Sequence, residues 1–378
     1  GLPGGISIAM PKDNDSRLDD ERLDGVIEEA REALLTRQTE DGHWVYELEA
    51  DATIPAEYIL LDHFLAELDP DTLETHERLA RYLRRIQGKD GGWPLFHDGD
   101  TDLSATVKAY FALKLTGDEL DAPHMKRARE TVLSLGGAAR CNVFTRIMLS
   151  LFGQTPWRAV PVMPIQITLL PRWSPFHLSE VSYSTRTVLT PLLVLMAKKP
   201  QARNPKGVKI DELFTTPPFE ERRYMVNSTG ALLGYMFLLL DIILRITTTI
   251  FPTLWQRRAI NRAVDFVTER LDGEEGLGGI FPAMANAVMM FDTLGYDKDH
   301  QKYAQARQAV KNLVVYDGDE GYCQPCVSPV WDTALALHAL LETNCAEDAP
   351  AVKRATKWLR DHQILDVKGD WHDKRPGL

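Results

Sequence analysis

The most closely spaced cysteines, Cys323 and Cys326 in "CQPC", have the spacing of zinc ligands and of dithiol redox sites. A zinc site would need a second pair or histidines at ligand spacing, and a thioredoxin-like site would need a preceding strand. Neither is evident in the sequence, whose ten histidines are dispersed. We therefore interpret the pair as loop cysteines without a chemical role.

Two acidic clusters have the composition of cation sites. "DGDTDLS" at 98–104 resembles a calcium loop, but Leu103 replaces the turn glycine and Ala109 replaces the closing glutamate. Asp19 and Asp20 in "LDDERLD" are ordinary capping groups at the start of the first predicted helix. The sequence contains no P-loop, dinucleotide fingerprint, G-x-S-x-G or H-E-x-x-H motif. It predicts no metal site and no cofactor.

Length and charge limit the class of protein. The 378 residues exceed the roughly 250 to 300 at which a single core stops growing, so two domains are expected. The net charge of -11 argues against nucleic acid as a partner. Four scattered cysteines favour a reducing compartment such as the cytosol. Residues 1–16 lack the pattern of a secretory signal and are predicted to be a flexible arm.

A recurring unit consists of a glutamine, a glycine-rich turn, a tryptophan, and then an acidic or hydroxyl residue that begins an apolar helix. Its copies begin at Gln38, Gln87 and Gln363, with Trp44, Trp93 and Trp371 as their tryptophans, and a degenerate copy has Leu277 in that place. Asp51 and Asp102 follow the first two copies. Glycine permits the reversal, tryptophan offers a large flat surface, and aspartate caps a helix. The unit therefore predicts structural braces.

Apolar residues recur with helical spacing along most of the chain, whereas the alternation typical of strands is scarce. The predicted helices are 17–37, 54–67, 73–87, 103–116, 123–135, 141–152, 179–198, 230–250, 255–271, 282–295, 301–315, 329–342 and 349–363. Helices of this length joined by Gly-rich or Pro-rich turns predict an all-α protein of antiparallel pairs, closed into a barrel or wound into a solenoid.

Two segments depart from this pattern. Residues 153–178 contain five prolines, which predicts a long extended connection and a candidate channel lining. Residues 230–251 are apolar enough to reach across a bilayer, but they contain Asp241 and Arg245, which are spaced to pair on one helix face. Each charge would cost about 2.5 to 3.5 kcal/mol in mid-bilayer. A helix lying in one leaflet is favoured over a buried core helix and a membrane span.

Several stretches together resemble the amino-terminal half of bacterial squalene-hopene cyclases, in order from Leu23 to Leu378. They include "RQTEDGHW", "QGKDGGWPLF", "DLSATVKAYFALKL", "PWRAVPVMP", "GGIFPAMANAVMM" and "SPVWDTALALHALLE". The resemblance implies two α/α barrels with QW repeats, one complete barrel inserted into a partial one, and an enzyme sunk into one membrane leaflet. Residues 17–69 and 295–378 would form the catalytic barrel. Residues 70–294 would form the inserted barrel, with 230–251 facing the membrane.

The resemblance also implies a chemistry. In that family an aspartic acid of a D-x-D-D motif protonates squalene, and aromatic faces stabilise the carbocations that close the rings. Catalytic roles are implied for Glu57, near the water network that ends the cascade, and for Asp332 as the best remaining acid. Substrate contacts are implied for Phe144, Ile280, Phe281, Pro282 and Trp331.

Two departures from the family pattern bear on activity. Ser184 in "SYSTRT" stands where relatives often carry an active-site tryptophan, so it is counted among the substrate-contacting positions. No D-x-D-D motif occurs in the 378 residues, so the chain alone is predicted to be inactive.

The sequence thus predicts the amino-terminal half of a squalene-hopene cyclase, an isomerase or lyase of hopanoid biosynthesis. Its expected partners are squalene or a related polyprene, one leaflet at the cytoplasmic face of a bacterial membrane, and a second copy or a missing carboxy-terminal half. The alternative is a non-catalytic lipid-binding or scaffolding half that pairs with a carboxy-terminal cyclase chain. A prenyltransferase β-like subunit is disfavoured, because its Asp, Cys and His zinc ligands cannot be assembled.

Overall fold

The computed structural model describes residues 16–225, 239, 241–245, 253–271 and 276–365. Its helices are α1 (Ser16–Thr36), α2 (Thr53–Leu65), α3 (Pro70–Arg85), α4 (Leu103–Thr116), α5 (Pro123–Ser134), α6 (Val143–Leu151), α7 (Tyr183–Lys198), α8 (Thr253–Arg270), α9 (Phe281–Thr293), α10 (Gln301–Lys311), α11 (Pro329–Glu342) and α12 (Ala349–Asp361). Two short antiparallel hairpins join β1 (Trp93–Pro94) to β2 (Thr101–Asp102) and β3 (Val314–Asp317) to β4 (Glu320–Cys323). The described residues are mostly helical, as predicted.

The chain divides into two compact units. One contains the described residues up to Tyr46 and those from Ser328 onward, and the other contains Glu47 to Val327. The first unit holds α1, α11 and α12 around a small core of Trp44, Ala336, Leu340 and Ala355. The second unit holds α2 to α10 around a much larger core.

Two kinds of helix build the larger core. Almost every residue of α2 and α4 is buried, as expected of helices that are apolar on all sides. The outer helix α3 is amphipathic instead, with Leu79 and Leu83 in the core and Arg81 exposed. Pro70 begins this helix, and the Asp69 side chain caps it by accepting a hydrogen bond from the Thr72 amide at 2.9 Å.

The predicted helix 301–315 is wrong at its carboxyl end. The helix ends at Lys311, and Val314 begins strand β3. The four residues of β3 pair with the four residues of β4 in an antiparallel hairpin. The physical signal is "VVYDGDEGYC", a β-branched run followed by Asp-Gly, where Gly318 takes a φ of 58°. A strand therefore does precede the cysteine pair, and Cys323 lies at its end and not in a loop.

The cysteines nonetheless lack the features of a reactive pair. Cys323 is 1% exposed, and burial raises the pKa of its thiol well above the usual range. Cys326 forms an isolated antiparallel bridge with Ile280. In the described part of the chain, no group of three or more His, Cys, Asp or Glu side chains is arranged to hold a metal ion.

The Pro-rich connection is not one helix, as predicted, but it is not extended throughout, because it contains 3-10 segments at Trp157–Ala159, Ile165–Leu169 and Leu178–Glu180. Asp241 and Arg245 form the predicted pair, with Arg245 Nε donating to Asp241 Oδ2 at 2.6 Å. The same two side chains also hold the connection: Asp241 Oδ1 accepts from the Val162 amide at 2.6 Å, and Arg245 donates to the Val160 carbonyl at 2.8 Å. This charge pair therefore satisfies backbone groups that have no secondary structure of their own.

Residues 160–166 of the connection line a cavity of about 250 Å³, to which Arg245 also contributes. Most of the predicted apolar helix 230–251 lies outside the described residues. Within the parts of the chain that the structure describes, no helix combines the length and apolarity needed to cross a bilayer.

Candidate functional site

A cavity of about 380 Å³ lies inside the larger unit, among α2, α4, α6, α7 and α9. Its walls are mainly apolar and include Ile54, Leu60, Leu61, Phe64, Leu95, Phe144, Ile147, Met148, Leu151, Phe152, Val188, Leu192, Pro282, Ala285 and Met289. A concave apolar space with few polar groups is typical of sites that hold small hydrophobic molecules. This lining offers an apolar surface against which a hydrocarbon chain can pack.

One ion pair lies in this apolar lining. Lys108 on α4 donates a hydrogen bond from Nζ to Oε1 of Glu57 on α2. The Lys108 side chain is 8% exposed and that of Glu57 is 25% exposed. A buried ammonium or carboxylate is strongly unfavourable alone, so the two groups stabilise one another. The pair is the charged feature of the cavity and can orient a water molecule or a polar end of a ligand.

Three residues predicted for the site come together at this cavity. Glu57, Phe144 and Pro282 all line it. Phe144 is in the first turn of α6 and is 56% exposed. Asn142 caps this helix, because its Oδ1 accepts a hydrogen bond from the Thr145 amide at 2.9 Å. Pro282 occupies the first turn of α9, where its fixed φ suits a helix start.

Ile280 and Phe281 do not line the cavity but hold the backbone that leads to Pro282. The Phe281 side chain is fully buried in the core, and its amide donates to the Pro325 carbonyl at 2.8 Å. Ile280 pairs with Cys326 through a backbone bridge. Together these contacts fix where α9 begins.

Ser184 is exposed and is not part of the lining. It lies on α7 four residues before Val188 and eight before Leu192, both of which line the cavity. Residues at this spacing share one helix face. A larger side chain at 184 would therefore extend along the face that borders the cavity.

Trp331 and Asp332 belong to the smaller unit, at the start of α11. Trp331 is 71% exposed, so its indole face is accessible. Asp332 accepts hydrogen bonds from the Tyr46 amide at 2.9 Å and from Ser328 Oγ at 3.0 Å. These contacts give Asp332 a local role in joining the Tyr46 segment to the first turn of α11.

The second repeat copy is a brace, as predicted. Gln87 Nε2 donates to the carbonyls of Gly91 at 2.8 Å and His124 at 2.9 Å. Trp93 donates from Nε1 to the Leu83 carbonyl at 2.9 Å and from its amide to Thr106 Oγ1 at 3.0 Å. The turn is thereby fastened to α3, α4 and α5.

The first copy makes the same set of contacts with a different part of the chain. Gln38 Nε2 donates to the carbonyls of Gly42 and Ala351, both at 2.9 Å. Trp44 donates from Nε1 to the Leu34 carbonyl at 2.8 Å and from its amide to Thr333 Oγ1 at 2.9 Å.

Helices α11 and α12 thus occupy in the first copy the places of α4 and α5 in the second. The helices that complete the first copy therefore do not follow it directly in the sequence. Asp51 does mark a helix start, since its Oδ1 accepts from the Thr53 amide at 2.6 Å. Leu277 of the degenerate copy is fully buried, whereas Trp371 lies outside the described residues.

Lys108 is the site residue that the sequence analysis missed. It stands in "TVKAYFALKL", where its near neighbours on α4 are apolar and buried. A lysine in the middle of such a helix is itself a signal, because lysine is rarely buried unless it is paired. The partner, Glu57, could not be read from spacing because it lies on a different helix.

The sequence of this chain is similar to those of known proteins. The family model of the squalene-hopene cyclase N-terminal domain matches residues 27–319, and that of the squalene-hopene cyclase C-terminal domain matches residues 327–378. A squalene-hopene cyclase of Zymomonas mobilis is 53% identical over 365 residues, which cover 94% of this chain and 54% of that protein. One from Bradyrhizobium diazoefficiens is 52% identical, covering 95% of this chain and 54% of its own length.

A more distant squalene-hopene cyclase, from Alicyclobacillus acidocaldarius, is 34% identical and covers 93% of this chain and 54% of that protein. The chain spans about half the length of the curated relatives it matches. The similarity covers both the cavity and the repeat braces, since it extends over nearly the whole chain. The chain belongs to the squalene-hopene cyclase family.

Proposed function

We propose that this chain supplies the amino-terminal part of a triterpene cyclase that converts squalene, or a related polyprene, to hopene or hopanol by proton-initiated ring closure. The observation that carries the proposal is the apolar cavity with the ion pair of Lys108 and Glu57 in its lining, in a chain whose relatives are named squalene-hopene cyclases. The reaction is that of an isomerase or, where a proton is lost to give an alkene, a lyase.

The cavity residues have distinct roles in this proposal. Phe144 and Pro282 form part of the wall against which a hydrocarbon lies, and Ile280 and Phe281 hold that wall in place. Glu57, paired with Lys108, orients water near the end of the substrate. Ser184 leaves space where a tryptophan would otherwise extend along α7. The exposed face of Trp331 stabilises a carbocation in the complete enzyme.

The two repeat copies support an arrangement of two α/α barrels, with one inserted into the other in sequence. The first copy is completed by α11 and α12, which follow it by nearly three hundred residues. We place the inserted part at Glu47 to Val327, and not at 70–294, because the compact units divide there and the two family models meet between 319 and 327. The braces correspond to the QW repeats of the family.

The complete enzyme acts at one membrane leaflet on the cytoplasmic side, from which squalene enters. The apolar composition of 230–251 supports attachment without a span. Its partners are the carboxy-terminal half that carries the acid, and a second copy of the enzyme as a homodimer.

The initiating acid is the D-x-D-D aspartate, a motif that does not occur in this chain. Asp332 is the alternative donor named by the sequence, but its two oxygens accept hydrogen bonds from a backbone amide and a serine. These contacts favour a structural role. The chain alone would then bind a polyprene without cyclising it, which is also the behaviour of a lipid-binding half.

A fusion of this chain to the carboxy-terminal half of the Zymomonas relative tests the proposal. The fusion protein is incubated with detergent-solubilised squalene, and the products are identified by gas chromatography. Hopene or hopanol from the fusion, with none from the 378-residue chain, is expected. Turnover by the chain alone above a heat-killed control would show that another acid initiates. A folded, monodisperse fusion without turnover would contradict the cyclase role.

A further inference from the structure

The apolar cavity has an open side, where the β1–β2 hairpin and the start of α6 both contribute to its lining. Leu95, which directly follows β1, lines the cavity and is 48% exposed. Asn142 and Phe144, at the start of α6, also line it and are exposed. The other lining residues are buried or half-buried. We call the three exposed lining residues, Leu95, Asn142 and Phe144, the mouth of the cavity.

The second repeat copy holds the hairpin side of the mouth. Two residues before Leu95, Trp93 donates from its amide to Thr106 Oγ1 at 3.0 Å and from Nε1 to the Leu83 carbonyl at 2.9 Å. Strand β1 also pairs with β2 in an antiparallel register. The backbone that leads into Leu95 is therefore fastened to both α3 and the first turn of α4.

The α6 side of the mouth is fastened to the same turn of α4. The Asn142 amide donates to Ser104 Oγ at 2.9 Å, and Ser104 is the second residue of α4. Thr106, the partner of Trp93, follows Ser104 by two residues. The two sides of the mouth thus share one support, so a ligand that passes between them meets Leu95 and Phe144 in defined positions.

The size of the cavity makes the mouth a part of the site. Its volume of about 380 Å³ is near the lower end of ligand pockets. Such pockets have about 300 to 1,000 Å³ and bury most of a drug-sized molecule. Squalene is longer than molecules of that size. A squalene molecule with one end in the cavity must therefore continue through the mouth and lie against its apolar residues.

We propose that Leu95 is a specificity-determining residue, which packs against the part of a polyprene that extends through the mouth and so favours squalene over shorter hydrocarbons. A longer ligand covers the apolar surface that Leu95 exposes in the free protein, and this burial is favourable in proportion to its area. A ligand short enough to remain inside the cavity leaves that surface exposed. This inference rests on the proposed function and names a residue that selects the length of the substrate.

Cysteine labelling of the 378-residue chain tests the contact directly. Leu95→Cys is compared with Met148→Cys, which places a thiol on a half-buried lining residue of α6, and with Leu120→Cys. Leu120 is 40% exposed in the turn between α4 and α5 and is not part of the lining. Each variant is treated with a maleimide in detergent containing saturating squalene, saturating farnesene or neither, and labelling at the introduced cysteine is measured by mass spectrometry.

The two hydrocarbons are expected to give different patterns, because farnesene is about half as long as squalene. Squalene should slow the labelling of both Leu95→Cys and Met148→Cys by about fivefold or more, since the free protein is the form that reacts. Farnesene should protect Met148→Cys to a similar extent but change labelling of Leu95→Cys by less than about twofold. Neither hydrocarbon should affect Leu120→Cys.

Kinetics of the fusion protein test the selection. Leu95→Ser is expected to raise the KM for squalene about fivefold with little change in kcat, because it removes apolar contact and no reacting group. The inhibition constant of farnesene should change by less than about twofold. Leu95→Met keeps the apolar surface and should retain a KM near that of wild type, which excludes a folding defect as the cause. Leu120→Ser is the control at an exposed leucine outside the lining.

Two labelling results would overturn the inference. One is equal labelling of Leu95→Cys with and without squalene while Met148→Cys is protected, and the other is equal protection of Leu95→Cys by squalene and farnesene. An unchanged KM in Leu95→Ser would also overturn it. Squalene that protects neither cysteine would overturn the proposed function together with this inference. Protection by squalene in a folded fusion without turnover would contradict the cyclase role alone.

Discussion

Lys108 and Glu57 form an ion pair in the lining of the apolar cavity, although they lie on two different buried helices, α4 and α2. Nearly all other residues of both helices are apolar or engaged in the core. The pair therefore places the charged groups of the cavity lining at one point. It accounts for a lysine in a helix where lysine would otherwise be strongly unfavourable.

Breaking this pair is expected to destabilise the larger unit. Lys108→Met leaves the Glu57 carboxylate in the cavity without its partner, and about 2 kcal/mol of unfolding free energy should be lost. This is less than the 3 to 5 kcal/mol of fully buried pairs, because Glu57 is partly exposed. Urea unfolding measures the loss.

Glu57→Gln/Lys108→Met is expected to recover part of that stability, which gives a coupling energy in a double-mutant cycle. The exposed pair of Lys357 and Asp361 is the matched control and should show a coupling of less than about 0.5 kcal/mol. Additive effects at Glu57 and Lys108 would contradict the ion pair.

The close approach of Gly91 to α5 predicts a second effect. Gly91 has a φ of 89°, and a Cβ there would lie 2.8 Å from the backbone carbonyl of Arg127. Gly117 also has a positive φ, 113°, but nothing lies within 4 Å of its Cβ position. Gly91→Ala should therefore lose about 1 to 3 kcal/mol more than Gly117→Ala, because only the first adds a clash to the backbone strain. Equal losses in urea unfolding would show that α5 moves away freely.

The equivalence of the two repeat copies predicts matched losses at two distant threonines. Thr106→Val and Thr333→Val each remove the hydroxyl that accepts a hydrogen bond from a tryptophan amide, of Trp93 and Trp44 respectively. Each should lose about 1 to 3 kcal/mol, since a buried donor is left without a partner. Thr116→Val, whose hydroxyl only bonds its own helix, is the control. An unchanged unfolding free energy in the Thr333→Val variant would refute the proposed role of α11 in the first brace.

In a complete enzyme, Trp331 should stabilise a carbocation through its ring face. Trp331→Phe keeps an aromatic ring and should retain much of the activity, whereas Trp331→Ala should release incompletely cyclised products. The cation–π interaction that Trp331→Ala removes contributes about 0.5 to 2 kcal/mol. Gas chromatography of the products of the fusion protein tests this role. Identical product profiles for wild type and Trp331→Ala would show that Trp331 does not stabilise a carbocation.

The helices could be predicted from the sequence because apolar periodicity is a local signal, and most of them lie within a few residues of the predicted bounds. The hairpin at Val314 was missed because its strands are short, although "YDGDE" carries the turn. The partners of Trp44 could not be predicted either. Local order in "RQTEDGHW" indicates a brace, but nothing in it indicates that Thr333 and Ala351 complete it, because such a choice depends on long-range packing.

Some residues of the candidate site could be predicted from the sequence, and others could not. Phe144, Pro282 and Glu57 were identified by resemblance to a family, since each alone is an ordinary core or helix-start residue. The Lys108–Glu57 pair depends on which side chains meet between different helices.

The last prediction concerns His63, which is fully buried on α2 with no hydrogen-bond partner for either ring nitrogen among the described residues. Its ring stacks on that of His76 at 5.5 Å. Burial lowers the pKa of His63 to about 3, with smaller contributions from His76 and Lys206. In the unfolded chain the pKa is about 6.5, so between these values the unfolded state binds a proton that the native state does not. Stability is therefore complete above about pH 6.5 and falls as the pH decreases towards 3.

Between pH 7 and pH 5 this histidine should remove about 2 kcal/mol of unfolding free energy. His63→Leu keeps the other titrating groups and lacks the ring, so its stability should fall by about 2 kcal/mol less over the same interval. Urea unfolding of both proteins at the two pH values gives this difference directly. An equal decrease in wild type and His63→Leu would show that the native structure accepts the proton at His63 without loss, for example through local opening of α2.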